Sequence, residues 1–337
     1  MKLVKLTNSA GTLWPSNPFL TAFLILFFTM LVGCGDDNQI PDDIAAVPVT
    51  LAVDRFDRQF IDTSAYQLDD LMQAYPYLFP GNFTDDFWAE KRRDTLQQEL
   101  GRETAQVFKD FSEERVQLEN LFKHIKYYYP DYELPQLVTL TSEVDYRNRV
   151  ILTDSLLLIA LDTYLGSEHR FYGGIQRYFA DNFRREQIVV DVAQAFAEKK
   201  INRKSGVNTF LDEMIYFGKI LYLKERLLTL IPENEIIGYS IEHTEWARKN
   251  EVNIWTYFVD KELLFDTDRK LLQRFINPGP FSKFYMDFDS DSPPRLGRYI
   301  GWQIVKKYME NTEIPLQQLN HKSTEEIFKQ ANYKPRK

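Results

Sequence analysis

The centre of the fold is predicted by two neighbouring stretches, EQIVVDVAQAFAEKK (Glu186–Lys200) and VNTFLDEMIYFGKILYLKERLLTL (Val207–Leu230). In the first stretch apolar residues recur at steps of three and four, as they do on one side of a helix. In the second they occupy nearly the whole circumference, and a helix that is apolar on most sides is a buried helix. The two stretches therefore predict a central helix pair, and they contain no complete set of catalytic residues.

Outward from this pair, the sequence predicts further helices and a few short strands. The strand candidates are the alternating stretch from Val47 to Val53, then Gln136–Leu140, Val150–Thr153 and the apolar Leu156–Leu161. We expect Gln136–Leu140 and Val150–Thr153 to form a hairpin, and Leu156–Leu161 to be a buried strand. The longer helical segments outside the central pair are predicted at Leu68–Phe79, Thr84–Phe108, Ser112–Tyr129 and Ser240–Asp260. Short strands between helical blocks indicate an α+β fold that is mostly helical, with a small antiparallel sheet packed against helices.

The N-terminus has the pattern of a lipoprotein signal. Lysines at positions 2 and 5 precede an uncharged apolar run, Phe19–Val32, which is shorter than the ~20 residues of a membrane-spanning helix. The run ends at Gly33-Cys34, which resembles the lipobox of bacterial lipoproteins, and Cys34 is the sole cysteine. An ordinary signal peptide with an incidental cysteine is the alternative. We therefore expect a signal peptide at 1–33, a lipidated flexible tether at 34–46 and a single domain at 47–337.

Composition limits the classes of partner. The formal net charge is −8, so the chain offers no broad basic surface for nucleic acid or anionic lipid. Attachment to a bilayer is then expected to come from acyl chains on Cys34, since each buried CH₂ contributes roughly 0.8 kcal/mol.

Candidate catalytic residues are few and scattered. The four histidines, His124, His169, His243 and His321, are too far apart in sequence for a local zinc motif. His243 is the least ordinary of them, and an unorthodox hydrolase site would use His243, Glu245 and Glu251, although a histidine at a helix start is more commonly a surface or capping residue. No phosphate-binding loop or nucleophile elbow is present. We expect no cofactor, no metal and no catalytic residue.

A binding surface is the other possibility. Tyr127, Tyr128 and Tyr285 lie in or beside predicted loops, where large amphipathic side chains commonly anchor a partner. The alternative is that these rings cover the core of an aromatic-rich domain. Together with Arg295 and Arg298, at the start of a predicted helix, they form the candidate interaction surface.

Several phrases together resemble one family. They are Asp54–Asp57, Leu121–Pro130, Asp145-Tyr146 with Asn148-Arg149, Leu161–Gly166, Met214–Tyr222, Asn250-Glu251 with Ile254-Trp255, and Ser292–Val305. In combination they are similar to the gliding-motility lipoprotein GldB of Bacteroidetes. The resemblance implies an envelope lipoprotein that supports gliding, a process linked in these bacteria to an outer-membrane secretion system.

The family in turn looks distantly similar to predicted zinc peptidases, which implies a degenerate zincin-like scaffold. On this resemblance Asp191 and Ala195 take the places of the two zinc-binding histidines. Val192 stands where the general-base glutamate would be, and Phe217 stands where a later glutamate would be. Valine cannot accept a proton, and no ligand set survives.

The resulting expectation is a non-enzymatic, lipid-anchored protein of the cell envelope that faces the periplasm. It would bind components of the gliding or secretion apparatus. An active envelope hydrolase or metallopeptidase with an unorthodox site is the alternative.

Overall fold

The computed structural model describes residues 39–287 and 289–335, and from Ile40 onward the chain forms one compact unit. The elements of the first part are α1 (Asp42–Ala45), β1 (Val53–Asp54), α2 (Phe56–Ile61), α3 (Leu68–Ala74), α4 (Asp85–Arg93), α5 (Thr95–Val107) and α6 (Ser112–Tyr128). The remaining strands are β2 (Gln136–Leu140), β3 (Val150–Leu152) and β4 (Leu156–Ala160). The second part contains α7 (Arg177–Ala180), α8 (Gln187–Lys200), α9 (Phe210–Leu227), α10 (Glu233–Ile237), α11 (Ile241–Lys249), α12 (Glu251–Asp260), α13 (Lys270–Phe275), α14 (Leu296–Thr312) and α15 (Thr324–Ala331). The predicted α+β, mostly helical class is confirmed.

The sheet is mixed, and the prediction of an antiparallel sheet was wrong. Its strand order is β1-β2-β4-β3, in which β1 pairs parallel with β2, and β2 pairs parallel with β4. The hairpin is formed by β3 and β4, where Ile151 pairs with Leu158. A tight turn makes this pairing possible, because the Thr153 Oγ1 accepts a 2.9 Å hydrogen bond from the Leu156 amide.

The segment between β2 and β3 explains why those two strands do not form a hairpin. The buried Asp162 carboxylate accepts hydrogen bonds from the backbone amides of Ser142 and Val144, at 3.0 Å and 2.7 Å. These bonds hold the segment over the end of the sheet. Strand β4 therefore pairs with β2 in the centre of the sheet, and it is more buried than β3.

Three of the predicted long helices are divided. Leu68–Phe79 forms α3 and, after Tyr75, a short 3-10 helix, Pro76–Leu78. Thr84–Phe108 forms α4 and α5, which separate at Asp94, where the carboxylate accepts a 3.0 Å hydrogen bond from the Gln97 amide and so starts a new helix. Ser240–Asp260 is interrupted at Asn250, between α11 and α12.

The predicted central pair, α8 and α9, lies in the core. Their apolar residues belong to the larger of two hydrophobic clusters. Helix α9 begins with a reciprocal capping arrangement, in which the Asp212 amide donates to the Thr209 Oγ1 and the Thr209 amide donates to the Asp212 carboxylate. Its closest partner is α14 rather than α8: a Cβ on Gly218 would overlap the Gly301 carbonyl, and a Cβ on Gly301 would overlap the Met214 carbonyl.

The packed region begins before the predicted boundary at residue 47. Helix α1 contacts α6, and its Ile44 is buried, so residues 42–45 are not part of a flexible tether. The predicted signal peptide, Cys34 and the start of the predicted tether lie outside the described residues. Within residues 39–287 and 289–335, no helix combines the length and the hydropathy needed to cross a bilayer.

Candidate functional site

A cavity of about 1200 Å³ lies where the C-terminal half of α9, the start of α14 and the outer side of α8 approach the segments 146–149, 174–184, 236–243 and 278–280. Its charged lining residues are six cations and three anions, together with His243: Arg147, Arg149, Arg184, Lys224, Arg295, Arg298, Asp181, Asp191 and Glu198. Aromatic side chains from the 146–149 and 174–184 segments form another part of the wall. The cavity is therefore cationic within a chain whose overall charge is negative.

Helix α8 contributes its polar side to this cavity. Gln187, Asp191, Gln194 and Glu198 follow one another at steps of four, three and four, which places them on one side of a helix. The opposite side, which includes Val192, is buried in the core. The amphipathic pattern of α8 thus fixes which of its residues can meet a ligand.

Asp191 is held by two donors. The Arg149 guanidinium lies 2.8 Å from its Oδ2, and the Tyr164 hydroxyl donates to the same oxygen at 2.8 Å. Arg149 itself lies near the Tyr164 and Phe183 rings, 5.2 Å and 5.0 Å from their centroids, and donates to the Asn182 carbonyl. Asp191 is consequently an ion-paired wall residue.

Three other cations of the wall have no carboxylate partner among the described residues. Lys224 Nζ donates to the Ile236 carbonyl at 2.7 Å, Arg298 Nε donates to the Ile276 carbonyl at 2.6 Å, and Arg295 Nη2 donates to the Gly238 carbonyl at 3.1 Å. Neutral carbonyls orient these groups but leave their charges uncompensated. Burial lowers the pKa of Lys224 to about 7, and it also lowers the pKa values of Arg295 and Arg298.

The two arginines are placed by the start of α14 and the loop that follows α10. Arg295 adopts a left-handed backbone conformation, with φ of 61°, immediately before α14. The Gly238 carbonyl binds both Arg295 and the Asn182 side chain, and the Tyr239 hydroxyl donates to the Pro294 carbonyl. The Arg298 guanidinium lies 3.8 Å from the centroid of the Phe217 ring. These contacts fix both guanidinium groups at the cavity.

The structure shows where the four positions assigned to a lost metal site lie. Asp191 lines the cavity, Val192 is fully buried, Ala195 has no ligating atom, and Phe217 packs against Arg298. Within residues 39–287 and 289–335, no three His, Cys, Asp or Glu side chains are close enough together to bind one metal ion.

The three residues of the alternative hydrolase site do not converge. His243 lines the cavity beside the Tyr239 ring. The Glu245 carboxylate is exposed and pairs with Lys249 at 3.2 Å. The Glu251 carboxylate accepts hydrogen bonds from the hydroxyls of Tyr299 and Tyr333, at 3.0 Å and 2.6 Å. Each of the three therefore has a separate local role.

The candidate interaction surface is also divided in the structure. Arg295 and Arg298 line the cavity, whereas the three tyrosines are not among its lining residues. Tyr127 and Tyr128 end α6, where the Tyr128 hydroxyl accepts a hydrogen bond from Arg226. Tyr285 is 75% exposed and lies under the Arg274 guanidinium.

Sequence reasoning missed Arg149, Lys224 and the cavity role of Asp191. A signal for Lys224 was present: it lies three residues after Leu221 and three before Leu227, on a part of α9 that the apolar pattern predicts to be buried. A lysine at such a position is rarely buried without a functional or structural reason. The Arg149–Asp191 pair joins a loop to a helix, and it left no pattern in the sequence.

Comparison with known proteins identifies the family. The chain matches the family described as "Gliding motility protein GldB" over residues 37–335, which is most of its length. It matches no curated protein and no solved structure. The chain therefore belongs to the GldB gliding motility family, as its sequence phrases indicated.

Proposed function

We propose that this member of the GldB family supports gliding as a lipid-anchored, non-enzymatic protein that binds components of the gliding or secretion apparatus in the envelope. The family establishes the link to gliding motility. The absence of catalysis and the binding of a partner are our proposals, and the environment of Asp191 is the observation that carries them.

A metallopeptidase needs a free acidic or imidazole ligand and a proton acceptor beside it. In this chain Asp191 forms an ion pair with Arg149 and accepts a hydrogen bond from Tyr164, and the next residue, Val192, points into the core. Phe217, at the position of the later glutamate, packs against the Arg298 guanidinium. The region is a cationic cavity whose groups are arranged to bind.

Attachment through Cys34 would keep the start of the packed unit near a membrane. Ile40 and the buried Ile44 belong to the packed unit, and Ile40 is the sixth residue after Cys34. An extended chain spans at most about 3.6 Å per residue, so Ile40 would lie within roughly 20 Å of the lipidated residue. We place the unit on the periplasmic side of its membrane.

Site-specific crosslinking in gliding cells tests partner binding. A photoreactive residue replaces Gln176, which is exposed at the cavity, and the matched control replaces Glu310, which is exposed on α14. We expect Gln176 to yield a covalent adduct with an identified component of the gliding or secretion apparatus, and Glu310 to yield none. Identical adducts from both positions, or none from either in cells that glide normally, would count against the proposal.

The enzyme alternative has its own test. His243→Ala combined with Glu251→Gln removes the imidazole and the charge while keeping a hydrogen-bond acceptor for the two tyrosines. We expect cells with this variant to glide normally. Loss of gliding with an unchanged melting temperature, together with stoichiometric zinc or iron in the purified full-length protein, would favour the hydrolase.

A further inference from the structure

The cavity carries an excess of positive charge that the protein itself does not neutralise. Its charged lining comprises six cations and three anions. Some of these charges are already engaged: Arg149 pairs with Asp191, Arg184 pairs with Glu235, and Asp181 pairs with Arg177, which lies outside the cavity lining. The remaining lining charges are Arg147, Lys224, Arg295 and Arg298 against Glu198. Arg295, Arg298 and Lys224 form no salt bridge with any described residue. Cations that are buried, as Lys224 is, or half-buried, as the two arginines are, and that donate to neutral carbonyls favour an anion from outside.

An apolar wall adjoins these cations. The Tyr146 ring packs against Phe179 and Phe183, with centroids 5.3 Å and 5.7 Å away, and all three side chains line the cavity. The cavity is larger than the roughly 300–1000 Å³ typical of pockets for small ligands. An inorganic anion would leave most of it, including the aromatic wall, without contacts.

We propose that the cavity binds an acidic peptide segment of another envelope protein, with side-chain carboxylates on Arg295 and Arg298 and an apolar residue against Tyr146 and Phe179. The proposal rests on the proposed function, since it names the chemistry of the partner. Guanidinium groups present paired donors that match a carboxylate, and both are held in place by carbonyl contacts. Lys224, which α9 contributes to the lining, adds a third positive charge when its amine is protonated.

The test uses the full-length lipoprotein in detergent and two fluorescein-labelled peptides. One peptide contains four Glu-Glu-Phe repeats, and the matched peptide has Gln in place of every Glu. We expect fluorescence anisotropy to show binding of the Glu peptide that is at least tenfold tighter than that of the Gln peptide and that weakens as salt is raised. Equal binding of the two peptides would overturn the proposal, and this comparison requires no mutant to fold.

Variants locate the binding. Arg295→Gln with Arg298→Gln should lower affinity for the Glu peptide at least tenfold, whereas Arg115→Gln on α6, which removes one exposed guanidinium, should leave it unchanged. Arg295→Lys with Arg298→Lys keeps the charges and should retain part of the affinity. Unchanged affinity in a folded Gln variant overturns the proposal. So does a calorimetric result in which inorganic phosphate binds at these arginines and the Glu peptide does not.

Gliding by cells that carry the double Gln variant separates this inference from the proposed function. Loss of peptide binding together with loss of gliding supports both. Loss of peptide binding with normal gliding leaves the acidic-peptide site standing and contradicts its role in the apparatus. Retained peptide binding contradicts the site, whatever the cells do.

Discussion

Helices α9 and α14 build two contrasting regions of this molecule. At their crossing, Gly218 and Gly301 allow the two backbones to touch, and the surrounding residues are buried and apolar. At the cavity, Lys224 of α9 and Arg298 of α14 present charges that lack carboxylate partners among the described residues. The crossing is held by close backbone contact and apolar packing, whereas the cavity presents charges that are available to a ligand.

This difference shows how one helix pair can provide both stability and a binding site. Dense packing resists any change in side-chain volume, because each atom already has its contacts. Uncompensated charges behave differently. They destabilise the unbound protein, and the binding of an anion offsets that cost. We therefore expect substitutions at the crossing to change stability, and substitutions of the unpaired cations to change binding.

The largest expected effect is at the crossing. Gly301→Ala places a methyl group against the Met214 carbonyl, so the two helices must separate. We expect the free energy of unfolding to fall by about 3 kcal/mol or more, measured by urea denaturation. Gly174→Ala is the matched control, since nothing lies within 4 Å of the added Cβ. If the two variants lose similar amounts of unfolding free energy, close packing at the crossing does not explain the loss.

The next effect distinguishes the paired cation of the cavity from the unpaired ones. Arg149→Leu leaves the Asp191 carboxylate with only the Tyr164 hydroxyl, and we expect a loss of about 2 kcal/mol, less than for a fully buried pair because both side chains are partly exposed. Arg298→Leu leaves no carboxylate without a partner and should lower the free energy of unfolding by less than about 1 kcal/mol. Chemical denaturation of Arg149→Leu, Arg298→Leu, Asp191→Leu and the double variant Arg149→Leu/Asp191→Leu checks this. The double variant should lose less than the two single losses added together.

A smaller effect, of opposite sign, is expected at Lys224. Its pKa is about 7 in the folded chain against 10.5 for an ordinary lysine, so between these values the unfolded chain holds a proton that the folded chain has released. Raising the pH through this range therefore stabilises the fold, with a slope of up to about 1.4 kcal/mol per pH unit. Lys224→Met should remove most of this slope, so it should be more stable than wild type by about 1 kcal/mol at pH 6 and less stable than wild type at pH 10.

Lys219 supplies the control for this measurement. Burial lowers its pKa to about 8, and its Nζ donates to the Lys322 carbonyl at 2.6 Å, far from the cavity wall. Lys219→Met should remove a similar part of the pH dependence while leaving binding of the acidic peptide unchanged. If Lys224→Met retains the full wild-type slope, Lys224 is not the titrating group.

The contrast between the two regions also explains what the sequence could predict. The helix pair was predictable because burial imposes an apolar period on residues that are close in sequence, as in Val207–Leu230. Strand pairing was not, because the partner of β2 depends on the Asp162 contacts that hold the 142–144 segment. The cavity combines Arg149, Asp191, Lys224 and Arg295 from four separate segments, and only tertiary packing brings such residues together. Arg295 was predicted as part of the candidate interaction surface and Asp191 as a degenerate metal position, whereas Lys224 was missed although it is a charge within an apolar pattern.

The smallest expected effect concerns the loop that positions Arg295. Gly238 has φ of 72°, and a Cβ there would lie 3.0 Å from Asn182 Nδ2 and 3.5 Å from Arg295 Nη2. Gly238→Ala should cost about 1 kcal/mol of stability and, by displacing Arg295, weaken binding of the acidic peptide a few fold. Gly206→Ala introduces the same kind of backbone strain, at φ of 96°, with no neighbour within 4 Å. Gly206→Ala should therefore lower the stability but leave the affinity for the acidic peptide unchanged. An equal loss of affinity in both variants would mean that backbone strain, not the position of Arg295, governs binding.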